Sequence, residues 1–404
     1  MSNEKQRLDW MSECIMIDTM GLRVENVASV TLTKQFAQVS EDPQIVSNSG
    51  WAKGRPKSES GKLAPLRVTS QKAGTRLLVE GSNSMQYVGH NIVSSNNAVM
   101  TAFSMLDAVR RHYPIEFDWS GRPLEFRRGQ DVTVTRIDTP AMLKLPSGVS
   151  AGAVINALAI AGFRAGAVTT IFPNESVYFD QPSQLASLKA YLKVLEMQVK
   201  RRMKNLPETE NAKAMIQLAE ETIRFEAVYR MKHLKSLFGN EIVTPSMLSP
   251  KTLAAMFINL MDGFDLKGSL RKTLSNDELF QVRMPYRSTV AHWQNGADLE
   301  RLFKGNEAQL KAHRRVLKKE HNIDIFLPSP LEIAMPMQLG DILRIENFVP
   351  PPEPIKTDPA LFYTRDMQVE WIDRTRDMDT KGIGYVYVDP FHYDDDQEGG
   401  ESHD

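Results

Sequence analysis

Four short runs in this chain carry residue types that could cut a phosphodiester bond: Gly89-His90-Asn91, Thr135-Arg136-Ile137-Asp138, Tyr191-Leu192-Lys193-Val194-Leu195-Glu196 and Arg224-Phe225-Glu226. A tyrosine phenol attacks phosphorus in line once its proton has a place to go. Carboxylates such as Asp138 and Glu226 are hard oxygen donors of the kind that hold Mg²⁺ or Mn²⁺. A lysine two residues along an extended strand shares a face with the tyrosine, which would set Lys193 beside Tyr191. Phosphoryl transfer depends mostly on positioning and charge stabilisation, so this short set is sufficient in kind. Each part also has an ordinary structural alternative. Tyr191 reads as a half-buried strand tyrosine, His90 as a hydrogen-bonded turn histidine, Asp138 as a turn opener before Pro140 and Glu226 as a surface ion-pair partner of Arg224 or Arg230. Tyr178 is either a second nucleophile or a packing aromatic.

The elements that must position these residues follow from periodicity. Ile15-Met16-Ile17 and residues 77–81 read as short strands, 131–138 as a β-branched alternating strand, and 176–180 as another. In residues 187–193, Ser187, Lys189, Tyr191 and Lys193 face one way and Leu188, Ala190 and Leu192 the other, a strand with a polar working face and an apolar buried one. If residues 223–230 are extended, Arg224, Glu226 and Val228 share one face and Ile223, Phe225, Ala227 and Tyr229 the other. Residues 97–113, with Met100, Phe103, Leu106 and Val109, and residues 149–162 are amphipathic helices. A basic helix continues through Lys200, Arg201 and Arg202. Residues 1–13 read as a frayed polar leader, 47–63 as a flexible basic loop, and 348–359, with five prolines, as a stiff linker.

Over 404 residues, 49 Lys and Arg stand against 50 Asp and Glu, a net charge of −1 that argues at first against a nucleic-acid partner. The distribution reverses that impression. Residues 382–404 hold seven acids and no Lys or Arg, and residues 1–350 carry about +8. The acidic tail reads as solvating and disordered, or as a DNA mimic competing for the basic surfaces. A single cysteine, Cys14, excludes an internal disulfide framework and a Cys-built zinc site. The most apolar stretch, 149–172, is interrupted by Asn156 and Arg164 and falls short of a membrane span, and the charged N-terminus is unlike a secretory signal, so the expected location is the cytoplasm with no membrane partner. The glycine upstream of Gly61-Lys62 that a Walker A loop needs is missing, so unwinding is expected from a separate helicase.

The order and spacing of the four runs resemble the replication initiators of filamentous bacteriophages, the gene II protein family. The resemblance covers roughly residues 16–239, with Met16-Ile17-Asp18-Thr19-Met20 similar to the family's opening. A second stretch, 284–325, resembles the C-terminal domain of such phage initiators. The resemblance implies a rolling-circle nickase. Such an enzyme cuts the viral strand at the double-stranded origin, becomes joined to the 5′ phosphate through tyrosine, leaves a 3′-OH primer, and later rejoins the displaced strand. It implies Tyr191 as nucleophile and Lys193 as the group that steadies the phosphorane or leaving oxygen. Asp138 and then Glu226 are the implied Mg²⁺ or Mn²⁺ ligands, with His90, Glu175 and Glu196 as further candidates. The His-hydrophobic-His pair of relaxases and plasmid initiators is missing here. Implied partners are origin DNA, the displaced single strand, a host helicase, a replication polymerase and single-strand-binding protein.

In the second stretch, Gly296 and Gly305 suit helix C-termini and Asp298 and Asn306 suit N-caps, which fits three short helices followed by a possible β-wing at 322–327. The last helix, 307–320, is rich in bases and would enter the major groove. Lys311, Arg314, Arg315, Lys318 and Lys319, together with Lys189, Lys200, Arg201 and Arg202, are the candidate DNA contacts, with phosphates as their first targets. The resulting expectation is an α+β protein with a mostly antiparallel sheet and helices on one face, plus a small winged-helix-like C-terminal domain. Its parts are a leader at 1–13, a catalytic domain at 14–245, a DNA-binding domain at 246–345, a Pro-rich linker and extension at 346–381 and an acidic tail at 382–404. The rival readings are a non-catalytic origin-binding or repressor protein, and a transposase or mobilisation nickase.

Overall fold

In the computed structural model the described residues are 2–25, 37–39, 45–48, 66–71, 76–112, 132–146, 151–200, 203, 206–266, 276–321, 323–326, 329, 338–367, 369, 371 and 372. The loop expected at 47–63 begins inside a strand and otherwise lies outside these residues, as do Arg201, Arg202 and the acidic tail.

The alternating segments assemble into one antiparallel sheet. Its strands are β1 (Thr19–Val24), β2 (Ala37–Val39), β3 (Ile45–Asn48), β4 (Arg67–Gln71), β5 (Arg76–Gly81), β6 (Val132–Lys144), β7 (Thr169–Phe172), β8 (Ser176–Phe179), β9 (Ala186–Tyr191), β10 (Thr222–Arg230) and β11 (Phe348–Val349). They lie in the order β2-β3-β4-β5-β1-β6-β10-β9-β8-β7, with β11 also paired to β6. Pairing sets the faces, because directly opposed residues point the same way. Glu226 lies opposite Pro140 and Lys189, Arg224 opposite Tyr191, Val228 opposite Asp138, Ser176 opposite Tyr191 and Tyr178 opposite Lys189. These side chains therefore share one polar face.

The opposite face carries Ile137, Ala141, Leu143, Val177, Phe179, Leu188, Ala190, Phe225 and Ala227, all buried in the main core. Helices α1 (Ser2–Cys14), α2 (Asn83–Tyr87), α3 (Ala98–His112) and α4 (Ala151–Arg164) contribute to that core. Gly162 on α4 permits the approach to β8, since a Cβ there would come within 2.2 Å of the Phe179 ring. The polar face is partly roofed by a second apolar cluster built from α5 (Lys193–Val199) and α6 (Glu210–Glu220) with Met142, Ile355, Leu361 and Phe362. The remaining helices are α7 (Met231–Leu237), α8 (Pro250–Gly263), α9 (Asn276–Gln281), α10 (Tyr286–Gln294), α11 (Leu299–Leu302), α12 (Glu307–His321), α13 (Leu339–Ile342) and α14 (Glu353–Lys356).

The α+β architecture with a mostly antiparallel sheet is the one expected, while several local expectations give way to packing. The polar leader is helix α1: Met11 is fully buried, and the Trp10 Nε1–H donates to the Phe348 carbonyl at 3.0 Å. The stretch expected as a linker is built into the domain, with Phe348 opposite Leu143 in the sheet and Leu361 and Ile355 buried. Helix α8 packs in the main core, and among the described residues a separate apolar cluster spans 279–325, inside the stretch expected as the C-terminal domain. Residues 325 and 326 form a turn and no wing strand occurs at 323–326. Residues 15–17 precede β1 but run beside β6, the Met16 and Asp18 N–H groups donating to the Pro140 and Asp138 carbonyls at 2.9 Å. Strand β6 continues through Pro140 to Lys144, whereas β9 stops at Tyr191 and Lys193 opens α5.

Candidate active site

Tyr191 closes β9 with its ring on the polar face, and its phenol donates to Glu226 Oε2 at 3.0 Å. The other oxygen of Glu226 pairs with Lys189 Nζ at 2.7 Å, and the ammonium also lies 4.9 Å from the Tyr191 ring centroid. Lys193 reaches the same place from the helix side, 5.7 Å from that centroid. The shared strand face expected for Tyr191 and Lys193 is therefore replaced by a strand-to-helix corner, which brings the two together by another route.

Lys193 is buried among donors and charges. Its ammonium donates to Asn91 Oδ1 at 2.9 Å and pairs with Glu196, which also pairs with Lys200. Burial and the neighbouring Arg224 bring the Lys193 ammonium down to about 8. Glu196 moves the other way: although burial opposes its charge, Lys193 and Lys200 draw the carboxyl down to about 2. Tyr191 is buried next to the Glu226 charge, and both effects raise its phenol well above the usual range. An acceptor already in hydrogen-bond contact is the feature that a phenol so raised requires.

Arg136 grips Asp138 with two hydrogen bonds of 2.8 Å, from Nε and from a terminal nitrogen, and also bonds Glu80 at 2.9 Å. Burial still pushes the Asp138 carboxyl up to about 7, against the pull of Arg136 and with the Glu226 charge adding to the rise. Beneath this pair lies Asp18. It accepts from Asn91 at 2.9 and 2.8 Å, from Ser82 at 3.1 Å and from Arg224 at 3.3 Å. Burial alone would raise Asp18, but Arg224, Lys193 and Asn91 together hold it below the ordinary aspartate value. Arg224 in turn donates to the Ile92 carbonyl at 2.7 Å.

The structure thus brings Tyr191, Lys193, Lys189, Asp138, Glu226 and Glu196 into one region. His90 lies behind it, fully buried: burial and Lys193 lower its imidazole to about 4, and Nδ1 accepts from the Ile92 N–H at 3.4 Å. Glu175 stands apart, its side chain exposed in the β7–β8 turn while its backbone carbonyl accepts from the Leu192 N–H. Glu226 is 2% exposed, so the surface ion-pair alternative fails for it. Among the described residues no group of three His, Cys, Asp or Glu side chains is gathered as a metal site. Four residues of the network went unassigned in the sequence: Asp18, Asn91, Arg136 and Arg224. All four stand inside the quoted runs, so position in a motif was a signal, while their residue types alone were not.

Within the C-terminal cluster, Thr289 on α10 and His313 on α12 join the two helices by a hydrogen bond of 2.8 Å. Asp298 caps α11 by accepting from the Arg301 N–H, and Gly296 and Gly305 hold positive φ at the helix ends. On α12, Lys311, Arg315 and Lys319 are exposed. Arg314 and Lys318 are not free for DNA in the same way: Arg314 bonds both oxygens of Asp324 at 2.6 and 2.8 Å, and Lys318 lies 3.5 Å from Asp324 and 4.8 Å from the Phe163 ring centroid.

A family model for the N-terminal part of the phage replication-associated protein encoded by gene II matches residues 16–246 of this chain. The chain belongs to that family. The match takes in all four runs and every side chain named around Tyr191, and leaves α9 to α12 outside. Within the family, the chain is 27% identical over 256 residues to the replication-associated gene II protein of Enterobacteria phage I2-2, covering 62% of this chain and 70% of the relative. A solved rolling-circle replication initiator protein from Geobacillus stearothermophilus superposes with a TM-score of 0.29 at 11% identity, over 65% of this chain and 89% of that one. No described helix is long and apolar enough to cross a membrane.

Proposed function

We propose that this phage replication-associated protein initiates rolling-circle replication by nicking and rejoining DNA through a tyrosyl intermediate, with Tyr191 as the nucleophile. The observation that carries the reading is the Tyr191 phenol donating to Glu226 while Lys189 and Lys193 flank the ring. In the cleavage step Tyr191 Oη forms a bond to phosphorus, its proton passes to Glu226, and the bond from phosphorus to the 3′ oxygen breaks. The leaving oxygen takes a proton from Lys193, whose value near 8 suits a donor at neutral pH. Rejoining is the reverse, with the 3′ hydroxyl attacking the phosphotyrosine. Asp18 and Asn91 hold Arg224 and Lys193 in place, so the positive charge behind Tyr191 is oriented before the phosphate arrives.

Asp138 and Glu226 are the residues that would hold Mg²⁺ or Mn²⁺. Their fit rests on placement and charge: both carboxylates stand on the same sheet face two strand positions apart, and the Glu226 charge adds to the rise that burial gives Asp138, a repulsion that a dication would relieve. Such an ion would supply positive charge to the phosphate oxygens. The exposed bases Lys311, Arg315 and Lys319 on α12 are assigned to duplex origin DNA, acting on phosphates first. The displaced single strand, a host helicase, a replication polymerase and single-strand-binding protein complete the proposed partners, in the host cytoplasm.

With Mg²⁺ and a supercoiled plasmid carrying the phage origin, Tyr191→Phe is expected to abolish nicking and the covalent 5′-phosphotyrosyl adduct seen by mass spectrometry. Full adduct formation by that variant would remove Tyr191, and no adduct with the wild-type chain would leave a non-catalytic origin-binding protein. Asp138→Ala should stop cleavage while duplex binding persists, and unchanged cleavage would take Asp138 out of the site.

A further inference from the structure

Phe172 is 53% exposed at the open edge of the sheet, on the same face as the nucleophile. The register makes this explicit. Across the strands, Phe172 lies opposite Ser176, Ser176 opposite Tyr191 and Tyr191 opposite Arg224. One row over, Tyr178 lies opposite Lys189, which lies opposite Glu226. The Phe172 and Tyr178 rings meet edge to face, centroids 6.1 Å apart. Two strand spacings, about 10 Å, therefore separate Phe172 from Tyr191, with the half-buried Lys189 ammonium beside the path between them.

An exposed phenylalanine on an edge hairpin has little to hold it, yet this hairpin is pinned. Asn156, the polar residue that interrupts the apolar helix α4, donates through Nδ2 to Asn174 Oδ1 at 2.7 Å and accepts from the Asn174 N–H at 3.0 Å. Asn174 itself sits at φ 60° at the tip of the turn. At the other end, the Val168 N–H donates to Asp180 Oδ1 at 2.9 Å and the Val168 carbonyl accepts from the Asp180 N–H at 2.9 Å. A buried amide spent on the turn thus orients a ring that stands in solvent. That is the arrangement of a binding platform whose geometry is set before its ligand arrives.

We propose that Phe172 and Tyr178 form a stacking platform for unpaired nucleobases of the DNA strand next to the phosphate attacked by Tyr191. This rests on the nicking reading for its location but not for its chemistry. Base stacking on aromatic rings tolerates any sequence, and the neighbouring lysine supplies a contact for the backbone, the two features of single-strand binding grooves. Duplex DNA, whose bases are already stacked, gains nothing from the pair. The same face would let the enzyme hold the melted strand in register while the 3′ end departs and returns.

The test is equilibrium anisotropy of the full chain with fluorescein-labelled oligothymidylate, and with an abasic oligonucleotide of equal length, both in EDTA so that no cleavage occurs. Phe172→Ala is expected to weaken oligothymidylate binding about tenfold, leave abasic and duplex binding unchanged, and Phe172→Trp should restore it. Tyr178→Ala should act in the same direction. Equal losses on the oligothymidylate and abasic strands, or no loss on either, would overturn the platform. So would a Phe172→Ala change confined to sedimentation as a dimer, which would make the edge a contact between copies. Failure of the tyrosine chemistry shows instead as a missing adduct with wild-type protein in Mg²⁺, a result that the anisotropy does not depend on.

Discussion

The sheet face around Tyr191 and the surface of α12 are both rich in lysine and arginine, but they treat those charges in opposite ways. Around Tyr191 the cations are desolvated and matched: Arg224 and Lys193 are almost fully buried, and Asp18, Glu196 and Glu226 lie against them. On α12 the outer row of Lys311, Arg315 and Lys319 stands in water, while Arg314 on the inner side bonds Asp324. In low dielectric a charge has large consequences for its neighbours, which is why the first region shows strongly displaced proton affinities. In water a charge mainly attracts phosphates, with an effect that salt screens. The difference teaches that one basic composition supports chemistry in one place and adhesion in the other.

The largest break in this comparison is expected from Glu226→Gln, which keeps the size of the side chain and removes the acceptor for the Tyr191 proton. Nicking by single-turnover gel assay should slow by about 10²- to 10⁴-fold, with duplex binding intact. A rate within a factor of a few of wild type would mean that the proton leaves by another route. Next comes stability. Arg224→Leu strips Asp18 and Glu226 of a buried partner and should cost about 3–5 kcal/mol in urea unfolding, whereas Arg315→Ala should stay within about 0.5 kcal/mol. Similar costs for both would erase the distinction between the regions.

Conversely, replacing Lys311, Arg315 and Lys319 by alanine together should leave unfolding unchanged and flatten the log K against log [salt] slope for duplex DNA by about three. An unaltered slope would move the duplex surface elsewhere. The smallest effect is a pH dependence of the C-terminal cluster. Burial opposes the charge of Asp324, but Arg314 and the Phe326 N–H hold its carboxyl below the ordinary value. A carboxyl lowered in the folded state stabilises fully above its unfolded value, near about 4, and loses that contribution as pH falls further. Trp293 fluorescence should report a loss of about 1 kcal/mol on acidification below about pH 4, and Asp324→Asn should remove that acid-dependent part.

How much of this was legible depends on which force placed each residue. The period-2 runs in β9 and β10 announced their faces, because a strand with one apolar side can bury only that side. The same logic found α3 and α4, whose stripes recur at helical spacing. It failed for α1, whose few apolar residues Leu8, Met11 and Cys14 look sparse until β11 and α8 are packed against them. It also failed for residues 348–362, where five prolines suggested a linker but Phe348, Ile355, Leu361 and Phe362 roof and extend the sheet. Proline restricts the backbone without saying what its neighbours bury.

The sequence by itself determined the residue types able to do the chemistry, the strands that carry Tyr191 and Glu226, and the separation of basic body from acidic tail, because these follow from local composition and period. Only the tertiary structure decided that Lys193 arrives from a helix start, that Asp18 and Asn91 brace the cations, that Glu175 is left outside, and that Arg314 is tied to Asp324. It also set an exposed Phe172 against the half-buried Tyr178 ring beside the nucleophile through the pairing of β7, β8 and β9. Those outcomes rest on contacts between residues far apart in the chain, where the low dielectric of the interior and the register of the sheet, rather than spacing along the sequence, select which charges meet.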